Sequence, residues 1–160
     1  MNVFDFAMKM EMDGKGYYEK LAAETPVVGL KNIFLSLAQD EQKHYDIIKE
    51  LKSGADPAIA ETNVLEDTKN LFQNLMAQRS VVAGLKKDLD GYEHGMKIEA
   101  ESVKFYEAMA RKEQNEGVAK LLQKIADEEK KHFEIMENLY DFVLAPQNYL
   151  AWGEFSIKEF

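Results

Sequence analysis

The sequence predicts an all-α protein, a four-helix bundle made of two repeated helix hairpins joined by a long crossover. Three observations carry that prediction. Helix formers (Ala, Leu, Met, Glu, Lys and Gln) are abundant, against three prolines and nine glycines in 160 residues. Apolar residues recur at alternating four- and three-residue steps along two segments, as on the inward faces of bundle helices. An offset of 88 residues also lays the first half of the chain onto the second without a gap.

The first helix is predicted over about residues 3–23 and the second over about 26–52. Thr25 reads as the N-cap of the second, with Pro26 in its first helical position, and Gly54 and Pro57 bracket its end. The third is predicted over about 89–112 and the fourth over about 116–144, with Asn115 as cap and Pro146 beyond. Residues 53–88 are long enough to cross the bundle, and Leu65, Leu71, Phe72, Leu75, Met76, Val81, Val82 and Leu85 predict a short amphipathic helix near 67–78 lying against it. The bundle domain is thus residues 1–145. The tail, 146–160, is aromatic (Tyr149, Trp152, Phe155, Phe160) and reads either as a strap on its own bundle or as a docking surface for a second chain.

Composition narrows the function. Twenty-nine acidic residues against 20 basic ones give a formal net charge of −9, which argues against nucleic acid or an anionic membrane as partner. No apolar run approaches the roughly 18 residues of a membrane span, and the N-terminal MNVFDFAMKMEMD has no leader pattern, so a cytoplasmic protein is expected. With no cysteine, disulfides, thiolate zinc sites, iron–sulfur clusters and cysteine catalysis are excluded. Any metal must be held by carboxylates and histidines.

The two periodic stripes show where. One is Leu30, Phe34, Leu37, Glu41, His44, Ile48, Leu51; the other is Val118, Leu122, Ile125, Glu129, His132, Met136, Leu139. Each is apolar except at its centre, where a Glu and a His replace the leucines of an ordinary core, and such conflicts fall at functional sites. The 88-residue offset lays MKMEMDGKGYYEKLA (8–22) on MKIEAESVKFYEAMA (96–110) and LAQDEQKHYDIIKEL (37–51) on IADEEKKHFEIMENL (125–139). Glu11 then pairs with Glu99, Tyr18 with Tyr106, Glu41 with Glu129 and His44 with His132.

Residues three apart share a helix face, so Glu41 projects with His44 and Glu129 with His132. Glu11 and Glu99 complete a set of four carboxylates and two imidazoles. A Glu from each of two helices plus a Glu-x-x-His from each of the other two is the ligand pattern of di-iron and di-manganese carboxylate bundles. Charge requires the same thing: buried carboxylates repel, and two divalent cations would balance all four. One E-x-x-H alone is usually a solvated pair; two, at one register and in apolar stripes, predict a dinuclear site, the alternative being a structural polar layer.

Other residues fall around that centre. Asp40 and Glu128 lie one turn before the histidines and could hold an imidazole N–H. Tyr18 and Tyr106, about 10 Å of helix rise from Glu11 and Glu99, are either core tyrosines with some hydroxyl partner or groups that bond a ligand carboxylate or supply a proton or electron. Glu19 and Glu107 are expected at solvent or a boundary, His94 at the surface, and Met8, Met10, Met12 and Met96 in the core rather than on metal.

With E-x6-Y in Glu11–Tyr18 and Glu99–Tyr106, and A-x-x-E-x-x-H in 38–44 and 126–132, the chain resembles the rubrerythrin branch of the ferritin-like superfamily over about residues 3–144. The resemblance implies a non-haem centre of two iron ions, reduction of hydrogen peroxide or O2, and a homodimer; manganese or a mixed centre is the alternative metal content. Rubrerythrins proper add a cysteine-ligated electron-delivering module. Its absence here implies a separate electron-donor protein. They also carry another glutamate one turn after the third-helix ligand, where this chain has Ser102, whose repeat mate is Gly14; a more symmetric site is expected. The leading expectation is thus a di-iron oxidoreductase. Iron oxidation with storage or transfer, di-manganese catalase chemistry, and a metal-stabilised interaction module acting through the tail are the alternatives.

Overall fold

The computed structural model describes residues 2–54, 64–75 and 84–145. They form α1 (Val3–Glu24), α2 (Val28–Lys52), α3 (Val64–Leu75), a 3-10 turn (Leu85–Asp88), α4 (Leu89–Lys112) and α5 (Glu116–Leu144), with no strand among the described residues. The all-α expectation holds. Each long helix packs most closely on its hairpin mate, α1 on α2 and α4 on α5, and the two hairpins face each other across the bundle. No helix of the described residues is long and apolar enough to cross a membrane.

The helix ends follow local chemistry, with one correction. Asn115 caps α5 as expected, its Oδ1 accepting from the Val118 N–H at 3.2 Å. Thr25 and Pro26, however, do not open α2. Thr25 is spent on ending α1, its N–H bonding Leu21 O at 3.1 Å with extended backbone, as a residue before proline prefers. Its Oγ1 accepts from the Val27 N–H at 3.3 Å, and α2 starts at Val28 with Val27 in the cap position. At the far end of α2, Gly54 takes φ +88°, a left-handed conformation that suits glycine.

The crossover helix α3 runs three residues earlier than the predicted 67–78. It starts at Val64, whose carbonyl accepts from Thr68 Oγ1 at 2.7 Å, and both residues are buried. Leu71 packs on Gly29 of α2, where a Cβ would make the leucine side chain turn aside. The side chains of Leu65, Phe72 and Leu75, all of Met76, Val81 and Val82, and the 146–160 tail lie outside the described residues.

The core is split in two. One apolar cluster gathers Tyr18, Leu21, Leu30, Phe34, Leu37, Tyr92, Met136, Leu139 and Phe142 at the end where α1 turns into α2. The other gathers Ala7, Ile48, Leu51, Tyr106, Met109, Leu122 and Ile125 at the opposite end. Between them lies a buried polar layer.

Candidate metal centre

All six residues of the predicted ligand set lie in that layer. Glu11 on α1, Glu41 and His44 on α2, Glu99 on α4, and Glu129 and His132 on α5 are each at most 3% exposed. They are there because their helices carry them at the centre of apolar stripes, so burying the stripe buries them. They fall into two overlapping groups, Glu11–Glu41–His44–Glu129 and Glu41–Glu99–Glu129–His132, each with ligand atoms within 4.8 Å of one another. Glu41 and Glu129 belong to both groups, the position a bridging carboxylate would take.

Each imidazole is held from behind. His44 Nε2 bonds Glu128 at 2.8 Å, and His132 Nε2 bonds Asp40 at 3.0 Å. The partner comes from the facing helix, not from one turn earlier on the histidine's own helix. Residues sharing an inward face both point across to α2 or α5, so the pairs cross. With Nε2 engaged, each Nδ1 faces the carboxylates: His44 Nδ1 lies 2.8 Å from Glu129 Oε1 and 3.5 Å from Glu11 Oε2. His132 Nδ1 lies 2.9 Å from Glu41 Oε1 and 3.5 Å from Glu99 Oε1.

The tyrosines pair across the bundle in the same symmetric way. Tyr18 donates to Glu99 Oε1 at 2.5 Å, and Tyr106 donates to Glu11 Oε1 at 2.6 Å. Burial and the Glu99 charge raise the Tyr18 hydroxyl well above its usual pKa, and burial and Glu11 do the same for Tyr106, so both remain donors. Glu19 and His94 are exposed, while Glu107 is half-buried and pairs with Lys130 at 3.0 Å. His94 stacks edge-on against Tyr17, with ring centres 5.3 Å apart. Met12 is exposed, whereas Met8, Met10 and Met96 pack against the apolar clusters.

Electrostatics show a strained set of groups. Burial, then repulsion from Glu11 and Glu129, pushes Glu41 well above the carboxylate range; burial and Glu99 do likewise to Glu129. Burial also works against Glu11, but His44, together with Glu41 and Tyr106, outweighs it and leaves its pKa lowered. Burial disfavours charge on the histidines, yet Glu11 holds His44, and Glu99 holds His132, well above the usual imidazole value. The layer therefore keeps protons on groups that a cation would replace.

The donor set fits two such cations. Oxygen and imidazole nitrogen are the ligands that iron and manganese favour. Glu11 Oε2, Glu99 Oε2, both Glu129 oxygens and His44 Nδ1 are buried without a hydrogen bond, His44 Nδ1 being close to Glu129 but misaligned. Orphaned buried polar atoms cost about 1–3 kcal/mol each, more when charged, and here they point at one another. Truncating the groups behind the imidazoles, in Asp40→Ala or Glu128→Ala, is expected to weaken anaerobic ferrous binding about 10- to 100-fold. Glu19→Ala, exposed on the same fold, should leave the calorimetric titration unchanged.

The sequence located the ligands and named Asp40 and Glu128 as their supports, and the geometry of the facing helices adds that the pairs cross. No curated protein and no solved structure matches the chain. The rubrerythrin family model matches residues 2–140, and with the paired ligand layer in place the chain belongs to the rubrerythrin family.

Proposed function

We propose that the chain is a di-iron oxidoreductase that reduces hydrogen peroxide with electrons from a separate donor. The observation that carries this reading is the buried layer of four carboxylates and two imidazoles, held in two groups that share Glu41 and Glu129. Glu11, Glu41, His44 and Glu129 would hold one ion, and Glu41, Glu99, Glu129 and His132 the other. Bound there, two ferrous ions would supply the two electrons that, with two protons, turn hydrogen peroxide into two waters.

The chain's own residues have definable tasks around that chemistry. Tyr18 and Tyr106 hold Glu99 and Glu11 through their Oε1 atoms, leaving Oε2 of each free to face an ion. Glu128 and Asp40 keep the imidazoles turned with Nδ1 inward. The tyrosine hydroxyls, neutral through the physiological range, bring a protein proton to the layer from each of its two ends. Leu37, Ile48, Ile125 and Met136 close the layer above and below and keep bulk water out.

Stopped-flow mixing of the anaerobic ferrous protein with peroxide or with O2 tests the reading. Peroxide is expected to oxidise the centre faster than O2 at equal concentration, and the oxidised protein should recover on adding a one-electron reductant. Faster reaction with O2, with ferric mineral accumulating in a large shell by light scattering, would assign the chain to iron storage instead.

A further inference from the structure

We infer that Gly14 positions Glu41 in the metal layer by omitting the one atom that would displace its carboxylate. Gly14 lies one turn after Glu11 on the buried face of α1. A Cβ there would stand 3.0 Å from Glu41 Oε2, 3.6 Å from Cδ and 3.8 Å from Cγ. All three nearest atoms belong to Glu41, so the missing side chain is matched to one neighbour. At 3.0 Å from a methyl carbon the carboxylate oxygen must give way by a few tenths of an ångström, a shift that a metal ligand transmits to its ion.

The backbone does not ask for glycine here. Gly54 alone among the described residues takes a positive φ, so Gly14 is ordinary helix, where alanine is preferred. Gly16, two residues on, is an internal control. It is exposed, and a Cβ on it would meet nothing within 4 Å. Both glycines weaken the helix equally, yet only one gives space to a ligand.

The consequence reaches both candidate ions, because Glu41 belongs to both groups and is tethered at Oε1 by His132 Nδ1, 2.9 Å away. Glu129 is the repeat mate of Glu41. At the register of Gly14 the other hairpin carries Ser102, buried at 3% exposure. The two donor groups repeat across the hairpins, whereas Gly14 and Ser102 differ in side chain at the shared register.

This inference rests on the dinuclear reading above, and the test separates the two. Mn(II) is titrated anaerobically into wild type, Gly16→Ala, Gly14→Ala and Gly14→Ala/Glu41→Asp, and followed by electron paramagnetic resonance. Wild type and Gly16→Ala should bind two ions that give an exchange-coupled spectrum. Gly14→Ala should bind at least about tenfold more weakly and lose the coupled spectrum. Aspartate draws its carboxylate back by one methylene, so the double variant should regain both. Circular dichroism in chelator checks that each variant folds. Gly14→Ala failing to fold while the double variant folds would equally support a clash with Glu41. Identical binding and coupling in Gly14→Ala, or failure of both variants to fold, would overturn the inference. A wild type that binds no Mn(II) or Fe(II) pair would overturn the dinuclear reading itself.

Discussion

Glu129→Leu is expected to change stability in opposite directions with and without metal. Both Glu129 oxygens are buried without hydrogen bonds, and the carboxyl is pushed far above its usual pKa by burial and by Glu99. Replacing such a group with an apolar one of similar size removes the penalty of a buried, unsatisfied polar group, about 1–3 kcal/mol. His44 keeps Glu11 and Glu128 as neighbours, so the change strands no partner. Chelated Glu129→Leu should therefore melt higher than chelated wild type. In ferrous buffer the order should reverse, because the variant loses a donor common to both groups and with it the stabilisation that binding confers. A chelated variant that melts well below chelated wild type, or one that retains two irons, would remove the case that this layer exists for metal.

The second large effect concerns pH. Glu41, Glu129, His44 and His132 all have folded pKa values above their unfolded ones, of about 4.5 for Glu and 6.5 for His. The metal-free native state therefore binds more protons than the unfolded chain, and stability falls with rising pH by about 1.4 kcal/mol per pH unit for each extra proton. The contribution of the two glutamates is complete below about pH 4.5 and is lost as pH climbs through their raised values; that of the histidines is complete below about 6.5 and is lost higher still. Glu11 and Asp40, with lowered values, act in the opposite sense and lose their contribution as pH drops into the carboxylate range. Metal-free protein should thus be most stable in mild acid and weaken toward alkaline pH.

Metal binding must displace the same protons, so ferrous affinity should rise about tenfold per pH unit for each proton released. Denaturation of chelated protein between pH 5 and 9, beside calorimetry in buffers of different ionisation enthalpy, measures both slopes. A flat affinity between pH 6 and 8 would contradict the proton inventory of the layer.

Much of this centre was legible because a helix is periodic. Glu41 and His44 share a face by spacing alone, and the 88-residue offset gave the same register to Glu129 and His132, so local geometry named all six residues. What spacing along one helix cannot convey is which residue of another helix it meets. Asp40 supports His132 and Glu128 supports His44, because helix crossing, not sequence separation, decides the partner. The same limit hid the recess at Gly14, since a missing Cβ has meaning only when the neighbour is known. The Thr25–Pro26 start failed for another reason. In a tight connection one residue can serve only one helix, and Thr25 closes α1.

The division of the core has a consequence for cooperativity. The two apolar clusters, around Phe34 and Phe142 at one end and Ile48 and Leu122 at the other, are joined through a midplane of mutually repelling groups. Without a cation that midplane is the weakest seam, and hydrogen exchange should show the halves opening as separate units with distinct free energies. With the midplane neutralised, the same amides should exchange together, through global unfolding alone. Metal in this bundle would then do more than react: it would make two half-cores melt as one.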